Sequence, residues 1–399
     1  MSGGLEVSAP ALVDLVRAQR WYAANDRHVA ASEVLESVDI GAGLWWVLLA
    51  VDFTGEGAGG AERVVYQLVI HGDSGAEALE RPDVLRWMFP DLPVTSVRVL
   101  AGEQSNTSLV ATLADDEEGH RRGEVIVKVF RRFEIGDGDG AAGRNPDVEV
   151  CERLWAQGFR SIAEPRGTFE RDGRDLAVAR TFLAGATSGW EMATEDPWFM
   201  DHIGALGTVT ASMHVALAAA FGAPRVGGTD WAATLTANLS RTTVPTGMDL
   251  AVRFEALGNL ADAGVSTRIH GDYHLGQVLH WKRRWYVLDF EGEPARPVAE
   301  RLAPSSPLRD VAGMYRSFGY AAAVGGLPPV WEREARQRFW RGYRSVPEIG
   351  ALLPAADADV ATVVDAFELD KAIYELAYER RYRPDWAHIP LAAIERLAR

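Results

Sequence analysis

The sequence predicts an α+β chain with a strand-rich first half and a helical second half. Three observations predict it. Apolar or alternating runs separated by glycine-rich turns recur from Ser32 to Val129. From about Gly189 the apolar residues take helical spacing. The helical half is interrupted by Arg268-Ile269-His270-Gly271-Asp272-Tyr273-His274-Leu275-Gly276-Gln277, a loop flanked by short apolar runs and followed by the strand Trp285 to Leu288 and the acidic element Asp289-Phe290-Glu291.

In order, Pro10 to about Tyr22 has helical spacing, with Leu12, Leu15 and Val16 on one face. Ser32 to Ile40, Leu44 to Phe53 and Val64 to Val69 read as a small antiparallel sheet, with turns at Gly41-Ala42-Gly43 and Gly55 to Gly60. Thr95 to Leu100 and Ser108 to Leu113 read as two strands around Ala101 to Thr107. The backbone amides and small hydroxyls of that turn suit phosphate, so Ser105, Asn106 and Thr107 are candidates for such a loop; an ordinary hairpin turn is the alternative.

The next strand, Glu124 to Phe130, carries Lys128. A buried ammonium needs negative partners, and nucleotide phosphates plus a helix glutamate supply them; an edge-strand lysine facing water is the alternative. Asn145-Pro146-Asp147 starts a helix bearing Glu149, the expected glutamate, with Glu152 competing one turn on. Gly136 to Gly143 reads as a surface loop, and Asp175 to Leu183 as a buried strand. Phe199 to Leu217, Trp231 to Leu239 and Leu250 to Leu260 read as helices; His214 is expected to be a core histidine rather than a ligand. Leu308 starts a further helix, in which Asp310 either holds the loop near Asp272 or is a first-turn carboxylate.

Composition narrows the function. A formal charge of -15 without basic stripes excludes phosphate-backbone binding as a main activity, so no nucleic-acid partner is expected. Cys151 is the only cysteine, which rules out an internal disulfide framework or cysteine-rich zinc site and fits a reducing cytoplasm. No run of eighteen apolar residues and no basic-then-apolar leader is present, so the expectation is a cytoplasmic protein without membrane contact or obligatory protein partner.

The loop and acidic element supply what phosphoryl transfer requires: a carboxylate at the acceptor hydroxyl and oxygen ligands for Mg2+ against the phosphates of ATP. Asp272 suits the first role. Gln277, five residues on, and Asp289, seventeen on, suit the second. The final helices carry Asp370, Tyr374, Glu375 and Tyr378, with Asp370 and Tyr374, and Tyr374 and Tyr378, four apart on shared faces. Carboxylates and rings of this kind bind sugars, and Trp386 completes the set; a solvated amphipathic helix with core tyrosines is the alternative.

His-Gly-Asp with an amide five residues later and a following acidic metal motif resembles the aminoglycoside phosphotransferase-like branch of the protein kinase-like fold. The longer text from His270 to Gln277, Asp289 to Pro294 and Pro307 to Tyr320 is similar to bacterial maltokinases and the related actinobacterial glucosamine kinases. The resemblance implies a two-lobed kinase: an N-terminal β-rich cap over 1–90, an ATP-binding lobe over 91–183 and a mostly helical lobe over 184–399. It implies Arg180, Thr181 and Phe182 as the hinge at the adenine edge, Glu291 as an additional metal ligand, and Asp272 and His274 among the sugar contacts. Gln277 and Glu291 stand where protein kinases carry asparagine and glycine, and the amide oxygen is retained. Within the group, glucosamine phosphorylated on its 6-hydroxyl is favoured over maltose. The chain is short for a maltokinase, Tyr22 to Arg27 lacks the lysine usual there, and carboxylates at Asp370, Glu375 or Glu379 suit an ammonium. A non-catalytic nucleotide-binding scaffold is the remaining alternative.

Overall fold

Strand alternation and glycine turns build the first of two units, which comprises Met1–Val148 and Glu164–Ala184 in a computed structural model. The structure describes residues 5–22, 27–54, 62–100, 106–115, 123–134, 144–240, 249–293 and 298–398. Helix α1 (Ala9–Arg17) packs its Leu12, Val13 and Val16 face with the sheet of β1 (His28–Gly41), β2 (Leu44–Thr54) and β3 (Glu62–His71). After α2 (Pro82–Met88), strands β4 (Val94–Val99), β5 (Asn106–Leu113) and β6 (Glu124–Phe130) enter a second sheet, and β7 (Arg132–Glu134) returns to pair with β3. Helix α3 (Pro146–Ala156) precedes β8 (Pro165–Arg171) and β9 (Arg174–Thr181).

The sheet orders are β1-β2-β3-β7 and β4-β5-β6-β9-β8. The expected cap and ATP-binding segments therefore share one unit, linked by the excursion of β7. Strand β6 is central, flanked by β5 and β9, so Lys128 is not an edge-strand lysine. Pleating divides the strand: Val125, Val127 and Val129 enter the main core, while Lys128 shares the opposite face with Phe130.

The second unit, Glu149–Ala163 with Gly185–Arg399, is mostly helical. It contains β10 (Thr187–Ser188), α4 (Gly189–Glu195), α5 (Phe199–Phe221), α6 (Thr229–Ser240) and α7 (Ala251–Gly258). The loop that follows leads into β11 (Val278–Trp281) and β12 (Arg284–Val287). Beyond these come α8 (Val298–Leu302), α9 (Pro307–Val324), α10 (Pro329–Arg344), α11 (Asp357–Tyr382) and α12 (His388–Leu397). By length and composition α5 could cross a membrane; here it is a core helix, burying Ile203, Leu206, Met213 and Leu217. It lies close against α10: a Cβ on Gly207 would stand 2.0 Å from the Phe339 carbonyl oxygen, so only glycine permits the approach.

Candidate active site

The loop from His270 to Gln277 is positioned by a carboxylate from another element. Asp310, in the first turn of α9, accepts the backbone N–H of His270 at 2.8 Å and of Gly271 at 2.9 Å. It also meets His214 Nε2 at 3.1 Å. Both readings of Asp310 therefore hold together: the helix start favours the anion, and its oxygens fasten the loop. Burial alone would raise its carboxyl; the His214 hydrogen bond, the neighbouring imidazoles of His214 and His270 and the Gly271 amide outweigh that and hold it below the usual carboxylate range. His214 is the buried core histidine expected from the sequence, its other nitrogen 2.9 Å from the Tyr343 hydroxyl. One turn on, a Cβ at Gly313 would lie 2.7 Å from the Tyr273 carbonyl oxygen, so a glycine lets α9 approach the loop.

His270 joins the two acidic elements. Its Nε2–H donates to the Leu288 carbonyl at 2.8 Å, leaving Nδ1 to face the Asp272 N–H at 3.4 Å, and the ring packs on Phe290. The Leu288 N–H donates to the Gln277 carbonyl at 3.0 Å, and Val278 pairs with Val287, so Gln277 and Asp289 lie at one end of the β11–β12 hairpin. Asp289 has φ +59°, a left-handed conformation that few residues other than glycine adopt and that aspartate tolerates better than most. The carbonyl of Glu291 accepts from Arg301 at 3.3 Å.

An amide oxygen and one or two carboxylates, without nitrogen or sulfur, fit Mg2+ completed by phosphates and water. Among the described residues, no group of three or more His, Cys, Asp or Glu side chains is gathered for a metal.

Asp272 meets a residue that sequence reasoning did not place there. Lys371 Nζ donates to its Oδ1 at 3.1 Å and also binds Glu293 Oε1, while Glu293 Oε2 lies 3.5 Å from Arg309. Burial alone would raise the Asp272 carboxyl, but the Lys371 ammonium and then His274 pull it below its ordinary value. Burial likewise pushes His274 down, toward the neutral form. His274 Nδ1 accepts the Gly276 N–H at 3.0 Å, so the neutral ring carries its proton on Nε2, 3.8 Å from Asp272 Oδ2.

The expected sugar contacts separate. Asp272 and Asp370 line one cavity together with Gly271, Glu293, Phe367 and Lys371. Asp370 Oδ1 accepts from Asn238 at 3.1 Å. Tyr374 lies under the Lys371 ammonium, 5.5 Å from it. Glu375 instead pairs with Arg316 at 2.8 Å, and burial raises its carboxyl. Glu379 meets Tyr320 at 3.1 Å and Arg383 at 2.7 Å. Tyr378 is exposed against Tyr382, and Trp386 packs on Tyr320 and Arg383.

In the first unit, Lys128 sits opposite Ser108 and Val178 in the central strand. Asn106 and Thr107 begin β5; Ser105, Gly136 to Gly143 and Gly55 to Gly60 lie outside the described residues. Thr107 Oγ1 accepts from Arg131 Nε at 2.8 Å. Arg180 pairs with Asp147 at 2.9 Å. The N–H groups of Thr181 and Phe182 donate to the Glu164 and Glu124 carbonyls at 2.9 and 3.0 Å. Glu149 belongs to the second unit and pairs with Arg153 at 2.8 Å.

Sequence reasoning missed Lys371, Glu293, Arg309 and Arg316. The available signal was in α11, where Glu368, Lys371, Glu375 and Glu379 recur at helical spacing among apolar residues instead of opposite them.

No protein-family model matches the chain. It is 27% identical to a glucosamine kinase of Streptacidiphilus jiangxiensis over 406 aligned positions, covering 90% of this chain and 86% of the relative. It is 30% identical to a glucosamine kinase of Mycolicibacterium smegmatis (strain ATCC 700084 / mc(2)155) over 290 positions, 64% of this chain and 72% of the relative. Among solved structures, a glucosamine kinase in complex with glucosamine, ADP and inorganic phosphate superposes with TM-score 0.71 at 22% identity. That match covers 96% of this chain and 98% of the other, and at this identity it shows the two-lobed α+β kinase fold.

Proposed function

The chain belongs to the glucosamine kinase family, and from that premise we propose that it transfers the γ-phosphoryl group of ATP to the 6-hydroxyl of glucosamine. The observation that carries the proposal is the fastening of the Asp272 loop, held by Asp310 on one side and tied through His270 to the strand end that bears Asp289.

In this reading Asp272 accepts the proton of the acceptor hydroxyl as that oxygen bonds to the γ-phosphorus and the bond to the β–γ bridging oxygen breaks, releasing ADP. Lys128 and the segment of Ser105, Asn106 and Thr107 hold the phosphates, Glu149 is kept among the candidate ATP-site residues, and Arg180, Thr181 and Phe182 border the adenine. Gln277 and Asp289, assisted by Glu291, would hold Mg2+, which would offset the charge of the phosphates. Asp370 is the carboxylate for the sugar ammonium, because it lines the same cavity as Asp272. His274, Tyr374, Tyr378 and Trp386 are kept as secondary sugar contacts. The proposed location is the cytoplasm, with small molecules as the partners.

The test is ADP release from Mg-ATP with glucosamine, maltose and glucose, for the natural chain and Asp272→Asn. Turnover confined to glucosamine, with kcat lowered by about 10³-fold in the variant, is expected. A preference for maltose would refute the acceptor, full activity of the variant would refute the mechanism, and silence on all sugars would leave a nucleotide-binding scaffold.

A further inference from the structure

The two oxygens of Asp272 have different surroundings. Oδ1 accepts from Lys371 Nζ at 3.1 Å, whereas Oδ2 lies 3.8 Å from His274 Nε2, beyond hydrogen-bond distance. Lys371 arrives from α11, 99 positions away in the chain, and its ammonium is shared with Glu293, whose side chain is 4% exposed. Glu293 is steadied in turn by Arg309 at 3.5 Å. Two carboxylates, an ammonium and a guanidinium sum to zero charge, which makes this buried group tolerable as a unit. Removing the ammonium alone would leave two carboxylates lining one cavity without it.

We infer that Lys371 is a positioning residue for phosphoryl transfer: its ammonium anchors Oδ1 of Asp272 and leaves Oδ2, beside His274, as the oxygen that takes the acceptor's proton. The inference rests on Asp272 being the base. The charged and titratable groups around that carboxylate are His270 and His274 of its own loop, Glu293 after β12, Arg309 and Asp310 at the start of α9, and Asp370 and Lys371 of α11. Lys371 is the cation that hydrogen-bonds it directly. Burial would push the base toward its protonated form, and this contact is the main influence holding it ionised.

The test compares the natural chain with Lys371→Ala and with Lys371→Met, which keeps most of the side-chain volume if the alanine variant folds poorly. Rates are measured from pH 4 to 9, with and without butylammonium or 1-butanol. The expected result is a kcat about 100-fold lower with KM for ATP unchanged, and an acid limb of the pH profile displaced to higher pH. Butylammonium should restore at least a tenth of the lost rate to the alanine variant, and the neutral alcohol should not. Equal rescue by butanol, or an unshifted pH profile, would overturn the inference by reducing Lys371 to a space-filler. A natural chain inactive on glucosamine would refute the proposed function itself. An active natural chain, an inactive Asp272→Asn variant and unimpaired Lys371 variants would refute this inference alone.

Discussion

Arg131 in the sheet unit and Asp310 in the helical unit are both buried charges fastened to a candidate functional segment, the start of β5 and the loop from His270, but they are solvated in opposite ways. Arg131, 2% exposed, donates to Thr107 Oγ1, to the Gln67 carbonyl and to Glu77, and stacks on Trp21. It has a full counter-charge, and the Glu77 side chain is 22% exposed. Asp310, 1% exposed, is held by two backbone N–H groups and an imidazole at the start of a helix. The difference teaches where each segment is vulnerable. Without the guanidinium, the partly exposed Glu77 can turn to water; without the carboxylate, the buried His270 N–H and the half-buried Gly271 N–H lose their acceptor.

Asp310→Asn breaks this comparison most severely, because the new amide sets N–H against N–H. We expect about 3 kcal/mol of lost stability in urea denaturation and, in whatever remains folded, a kcat loss with little change in KM for ATP. A stability equal to that of the natural chain would mean that the loop is held by something else. Arg131→Met should cost less, about 1–2 kcal/mol, and raise KM for ATP while leaving KM for glucosamine alone. An equal rise in both would remove the proposed link between Arg131, through Thr107, and ATP.

Acid sharpens the contrast. The Asp310 carboxyl lies below its unfolded value, so its stabilisation is complete above about pH 4 and disappears as pH falls through the lower folded value. Hydrogen-exchange protection of the His270 and Gly271 amides should therefore persist at pH 5 and fail only in stronger acid. Loss of protection between pH 7 and 5 would contradict this. The smallest effect is expected at Tyr378, 42% exposed. Tyr378→Ala should change stability by about 0.5 kcal/mol or less. A several-fold rise in KM for glucosamine would show that it does contact the sugar, whereas an unchanged value would confine recognition to the cavity beside Asp272.

By itself the sequence determined the local elements and the chemical cast. The run Glu124 to Phe130 coincides with β6, since a nearly continuous run of β-branched residues favours the extended strand. The loop from His270 and the hairpin carrying Gln277 and Asp289 were equally legible, because they are contiguous and their spacing is short. Only the tertiary structure decided which distant residues complete the site. Nothing local assigns Lys128 to a central strand, since strand order is set by long-range pairing. Lys371 and Glu375 share a face at helical spacing, yet one faces Asp272 and the other Arg316. Asp310 holds a loop 40 residues earlier, and Lys371 a carboxylate 99 residues earlier. These partnerships come from packing α9 and α11 beside the loop, where a buried charge must take whichever opposite charge or dipole the fold brings within reach.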